Sequence, residues 1–120
     1  MVQDITTIDQ RYYNDLFKLK DWDDRIQFVC AQAINFESAM LYGKKIQRCS
    51  NNAYVLYQGG EFITYSDSML VSGLLCIFSD IFSDQDEILI QTYQPKFLTL
   101  LVDSVPDQTI LNIVKAFREA

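Results

Sequence analysis

The stretch "AYVLYQGGEFITYSDS", Ala53 to Ser68, decides how the rest of the chain is read. Two runs rich in aromatic and β-branched residues, Ala53 to Gln58 and Glu61 to Ser66, flank Gly59-Gly60. A glycine pair between two such runs is the signal of a two-residue β-hairpin turn. Ser66, Asp67 and Ser68 then end the second strand and offer side-chain oxygens to cap a helix. That helix is expected over roughly Ser68 to Phe82. Its apolar face is broad: Met69, Leu70, Val71, Leu74, Leu75, Ile77, Phe78 and Ile81. Ser68, Ser72, Ser79 and Ser83 leave only a narrow polar stripe, so this is the expected central helix, packed across the sheet.

Further along, "SDQDE" breaks the helix. A helix is predicted from Pro95 to Val102, with Phe97, Leu98 and Leu101 inward. Pro106 suits the first turn of a last helix with the stripe Ile110, Ile113, Val114 and Phe117. Upstream of the hairpin, Lys45 to Arg48 reads as a third short strand, which places Cys49 at the tip between strands. Residues 36–44 read as loop. Asp21 is the expected N-cap of a helix with the stripe Trp22, Ile26, Val29, Cys30, Ala33 and Ile34, and Trp22 is expected in the core or as a partial lid on the first two helices. Ile8, Tyr12, Leu16 and Leu19 mark a first helix. The order ααβββααα predicts an α+β fold over residues 1–120 as one domain. It has a small three-stranded antiparallel sheet with helices packed on one face.

The chain has 120 residues, 49% of them hydrophobic, which is enough for a core without disulfide or metal support. Its formal net charge of −6 argues against a nucleic-acid footprint and against an anionic membrane surface. The run "MLVSGLLCIF" is shorter than the about 20 residues a bilayer span needs. "MVQDITTIDQ" lacks the apolar segment of a signal peptide. Three cysteines, Cys30, Cys49 and Cys76, are odd in number and widely spaced, which fits a reducing cytoplasm better than a disulfide framework.

Histidine is absent. Ser-His-Asp and Cys-His nucleophiles are therefore excluded, as are zinc sites built on histidine, and no CxxC replaces them. No GxGxxG or P-loop motif occurs. What remains is thiol chemistry or none. Cys49 stands out because Lys44, Lys45 and Arg48 lie just before it. An ordinary thiol has a pKa of about 8.5 and is only partly ionised at neutral pH, and nearby cations favour the thiolate. For Cys30 and Cys76 the reading is a small buried hydrophobe, with partial exposure of Cys76 expected from its place near Ser72 and Ser79. For Asp67 the choice is between a helix cap and a group beside the cysteine loop that holds it or meets a partner.

Three blocks carry a resemblance to a known family. They are Trp22-Asp23-Asp24-Arg25, the segment Ile46-Gln47-Arg48-Cys49-Ser50-Asn51-Asn52-Ala53-Tyr54, and Ser66-Asp67-Ser68-Met69-Leu70-Val71-Ser72-Gly73-Leu74. They resemble the W-[ED]-[ED]-[RK], V-x-G-C-x-S-x-V-W and S-D-x-x-x-[IV]-x-G-L blocks of SufE, the sulfur acceptor of a cysteine desulfurase in iron–sulfur cluster assembly. The resemblance runs from about Phe17 to Arg118. Departures lie in the cysteine block, where Arg48 stands for glycine, Asn51 for serine and Tyr54 for tryptophan. The family's S-R-x-N-G-L is not recognisable in "VPDQTILNI". Arg48 either strains a backbone position made for glycine, at about 1 kcal/mol, or adds support to the thiolate.

The resemblance implies a SufE/IscU-like fold and a persulfide carried on Cys49. It implies loop and thiolate support from Arg48, Lys45, Ser50 and Asn51, and partner contacts from Ser66, Asp67 and Asn52. No metal or cofactor is implied in the chain itself, since the pyridoxal phosphate belongs to the partner. The partner would be a cysteine desulfurase, with a Suf scaffold complex as a further one, in the cytoplasm, with no nucleic acid and no membrane. Such a protein is an accessory carrier and activator rather than a stand-alone enzyme. The competing readings are a non-catalytic interaction module on the same fold, or an acidic chaperone, each with an inert loop cysteine.

Overall fold

The computed structural model describes residues 4–47, 51–101 and 105–120. The hairpin forms with the expected boundaries: β2, Ala53–Gln58, and β3, Glu61–Ser66, pair antiparallel from Ala53↔Ser66 to Gln58↔Glu61. Gly59 and Gly60 take φ of +62° and +88°, the left-handed pair that a two-residue turn needs. The third strand, β1, is shorter than expected and starts earlier, at Lys44–Lys45, paired with Val55 and Tyr54. The sheet order is β1-β2-β3.

The helices are α1 (Ile5–Lys18), α2 (Trp22–Ala31), α3 (Glu37–Tyr42), α4 (Met69–Phe82), α5 (Glu87–Thr92) and α6 (Asp107–Glu119), with a 3-10 helix at Lys96–Leu100. The fold is α+β, a small antiparallel sheet with six α-helices among the described residues. None of these helices is long and apolar enough to cross a membrane. The expected ααβββααα order is corrected by two short helices. α3 occupies the stretch read as loop and packs against β2 and β3. α5 follows the break after α4. Neither has a side-chain N-cap bond; Phe36 before α3 is no start signal, and Asp86 before α5 lies inside the run read as a helix break. Of the helix predicted from Pro95, Lys96–Leu100 is 3-10 and residue 102 lies outside the described residues.

Asp21 and Ser68 cap α2 and α4 through their side chains, accepting from the N–H groups of Asp23 and Val71. The core faces of β2 and β3 bury Ala53, Val55 and Phe62 against Leu74, Leu75, Phe78, Ile81 and Phe82 of α4. Phe117 of α6 stacks into the same cluster, 5.0 Å from Phe62 and 5.7 Å from Phe78. The other strand positions, Tyr54, Leu56, Ile63 and Tyr65, are half-buried. Trp22 is not a core residue, which leaves the lid alternative. It is 37% exposed, and of its helix only Val29 is buried. The helix packs on α4 along a narrow line, where Val29 meets Gly73.

Three polar devices hold the helices in register. Asp9, 1% exposed, accepts from the phenol of Tyr93 and from the backbone N–H groups of Lys96 and Phe97. A carboxylate on α1 thus caps the 3-10 helix, which has no cap of its own. Arg25 donates to the carbonyls of Leu16, Leu19 and Leu100, satisfying orphan acceptors at the end of α1. Tyr12 donates to Asp80 at 2.6 Å. Burial, reinforced by Asp80, raises the Tyr12 phenol above its ordinary pKa, and burial with Asp9 does the same for Tyr93. Both therefore remain neutral donors at physiological pH.

Gly73 is where α2 and α4 touch. A Cβ there would lie 1.9 Å from the Val29 carbonyl oxygen. Gly73→Ala is expected to lower stability by about 3 kcal/mol in urea unfolding, because backbone rather than a movable side chain must shift. Gly59→Ala has nothing within 4 Å and should cost only about 1 kcal/mol, from its positive φ.

Candidate functional site

Arg48, Cys49 and Ser50 lie outside the described residues; the site is therefore built from what flanks them. On the entering side, Ile46 is 2% exposed and its N–H donates to the Ala53 carbonyl at 2.8 Å. This bond extends the β1–β2 ladder by one step and closes the base of the cysteine segment. On the leaving side, Asn52 is held twice by Asp67. Its carbonyl accepts the Asp67 N–H at 3.2 Å, and its amide donates to the Asp67 carboxylate at 3.2 Å. Asp67 is therefore not a helix cap; that role belongs to Ser68. It sits beside the stem of the cysteine segment.

Behind Asp67 lies an arrangement the sequence did not reveal. Asn35, between α2 and α3, reaches the end of β3. Its side-chain oxygen accepts the Ser66 N–H at 3.0 Å and the Ser72 hydroxyl at 2.7 Å, and its amide donates to the Ser66 carbonyl at 3.0 Å. The Ser66 hydroxyl accepts the Ser68 N–H. Ser66 is 2% exposed and Ser72 1%, whereas Asp67 and Asn52 are exposed. Of the residues expected to meet a partner, then, two face outward and Ser66 supports them from inside. The only local sign of Asn35's role is an isolated amide between Ile34 and Phe36. Its partners are 31 and 37 residues away.

The same edge of β3 is held at further points along its length. Ser79 donates to the Phe62 carbonyl, Ser83 accepts the Phe62 N–H at 3.0 Å, and the Phe36 N–H donates to the Thr64 carbonyl at 2.9 Å. The polar stripe of α4 thus serves the sheet edge, whose backbone groups would otherwise lack partners.

The expected cation cluster is partly dispersed. Lys44 sends its ammonium to the Glu119 carbonyl at 2.8 Å, where the C-terminal end of α6 favours positive charge. Lys45 is exposed and forms no ion pair among the described residues. Asn51 is half-buried. Cys30 and Cys76 are half-buried rather than fully buried. The Cys76 thiol donates to the Ile34 carbonyl and accepts its N–H, both at 3.2 Å.

No protein-family model matches the chain, and no curated protein matches it. Two of the sequence blocks noted above have packing roles here: Arg25 caps α1 and Gly73 admits Val29. Those blocks bear on fold, and the chemical reading rests on Cys49.

Asn35→Ala is expected to lower stability by about 1–2 kcal/mol, since it strips partners from buried groups of Ser66 and Ser72. It should also speed amide hydrogen exchange at Ser66. Asn35→Asp keeps both acceptor bonds and should fall between wild type and alanine. Equal exchange at Ser66 in all three proteins would contradict the assignment.

Proposed function

We propose that the chain is a SufE-like sulfur carrier: Cys49 accepts sulfur from a pyridoxal-phosphate cysteine desulfurase and passes it towards iron–sulfur cluster assembly. The observation that carries the reading is the doubly held Asn52–Asp67 pair. It ties the stem of the cysteine-bearing segment to the residue just before the α4 cap, so an exposed polar surface adjoins a chain segment with one thiol. The α+β order and the three sequence blocks support the same reading.

The transfer needs no group the chain lacks. The Cys49 thiolate attacks the outer sulfur of the desulfurase persulfide. The partner's S–S bond breaks, a new S–S bond forms on Cys49, and the partner's cysteine leaves as thiolate. The proton on the transferred sulfur travels with it or is released to water, and no net oxidation occurs. Lys45 and Arg48 are the cations left to favour the Cys49 thiolate, because Lys44 is engaged at α6. Asn51, Asn52 and Asp67 would contact the desulfurase, with Ser66 holding them and Ser50 completing the segment.

Incubation with a cysteine desulfurase and cysteine should add about 32 Da, one sulfur atom, to the peptide containing Cys49. Addition only at Cys30 or Cys76 would sink the assignment. No addition at all would favour a non-catalytic interaction module.

A further inference from the structure

A groove of about 620 Å³ lies between β3 and α4, away from the Asn52–Asp67 stem. Its apolar lining includes Ile34, Phe36 and Ile63, and Ile34 and Phe36 are 61% and 45% exposed. Cys76 is in the wall. Three carboxylates line it: Glu61, Asp80 and Asp84. Asp80 is already matched, by Arg11 at 2.8 Å and by Tyr12. Glu61 and Asp84 have no ion pair among the described residues.

Those two belong to the same end of the groove. The Asp84 N–H donates to the Gly60 carbonyl at 2.7 Å, and its carboxylate oxygen lies 3.0 Å from where a Gly60 Cβ would be. Glu61 is the next residue. Asp84 takes a left-handed backbone, φ 60°, a conformation aspartate tolerates better than most, so it is locked against the hairpin turn. The result is an apolar trough with unbalanced negative charge at one end.

We propose that this groove docks an extended segment of a partner protein in which a lysine or arginine neighbours large aliphatic side chains. The aliphatic groups cover Ile34, Phe36 and Ile63, and the cation meets Glu61 and Asp84. Charge selects this occupant. A second copy of the chain, at net −6, brings like charge to an acidic rim. The segment does not join as a regular fourth strand beside β3, because Phe62 and Ser66 already spend both outward backbone groups on Ser79, Ser83 and Asn35, and the Thr64 carbonyl takes the Phe36 N–H. Recognition therefore runs through side chains. The proposal stands independently of sulfur transfer.

The test uses the full chain and two fluorescent octapeptides, one alternating leucine and lysine, the other leucine and glutamate. Anisotropy should show saturable binding of the lysine peptide only. At saturation, iodoacetamide labelling of Cys76, read by mass spectrometry, should slow while that of Cys30 does not. Glu61→Lys combined with Asp84→Asn should weaken binding about tenfold or more, and Ile34→Ser should weaken it without changing its salt dependence. Equal binding of both peptides, no saturable binding, undiminished Cys76 labelling, or an unaffected double variant would each overturn the proposal. So would sedimentation as a dimer in which Cys76 is already protected, which would give the groove to a second copy.

Discussion

The constraint on which the rest depends is the held outer edge of β3. A two-stranded hairpin is marginal in water by itself, and β1 adds only two residues. The hairpin becomes a stable layer because α4 fills its inner face and, with Asn35 and Phe36 from the α2–α3 connection, holds its edge. Phe78, Leu74 and Phe82 supply the burial. Ser79 and Ser83 take the backbone of Phe62, and Asn35, braced by Ser72, takes that of Ser66. Burial alone would let a strand slide along a smooth helix. Polar partners at both ends of β3 set one register, and Gly73 sets how closely α2 approaches behind.

That register has a consequence at the β3–α4 junction. Because Ser66 is pinned, Asp67 has one place to be, and Asn52 is bonded to it. The stem of the cysteine segment is thereby referenced to the most deeply packed helix in the molecule. In the proposed carrier role, a stem anchored on the core would present the thiol to another protein more reproducibly than one anchored on a peripheral loop. The electrostatic support is leaner than the run of basic residues implies. Lys44 belongs to the fold, through α6.

Legibility in the sequence followed the range of the interactions. The hairpin was readable because its signals are local: alternation, a glycine pair and a capping serine. So were Asp21 and the buried stripe Ile113, Val114 and Phe117 of α6. The helices at Glu37–Tyr42 and Glu87–Thr92 were not, because six residues carry too little periodicity. Of the two readings of Trp22, the core one failed because a large aromatic on an apolar stripe implies burial, yet its helix buries one residue. Around the candidate site, Asn52 and Asp67 could be singled out from the sequence. Asn35 could not, since nothing in its neighbourhood announces partners 31 residues away.

If the chain is a sulfur carrier as proposed, docking on the Asn52–Asp67 surface and chemistry at one thiol are separable. Calorimetry and turnover on the same preparation of Cys49→Ser with a cysteine desulfurase test this most directly. The predicted result is affinity within a few-fold of wild type, with stimulation of the desulfurase lost. Wild-type protein that binds no desulfurase from its own organism, or Cys49→Ser that stimulates turnover as wild type does, would contradict it.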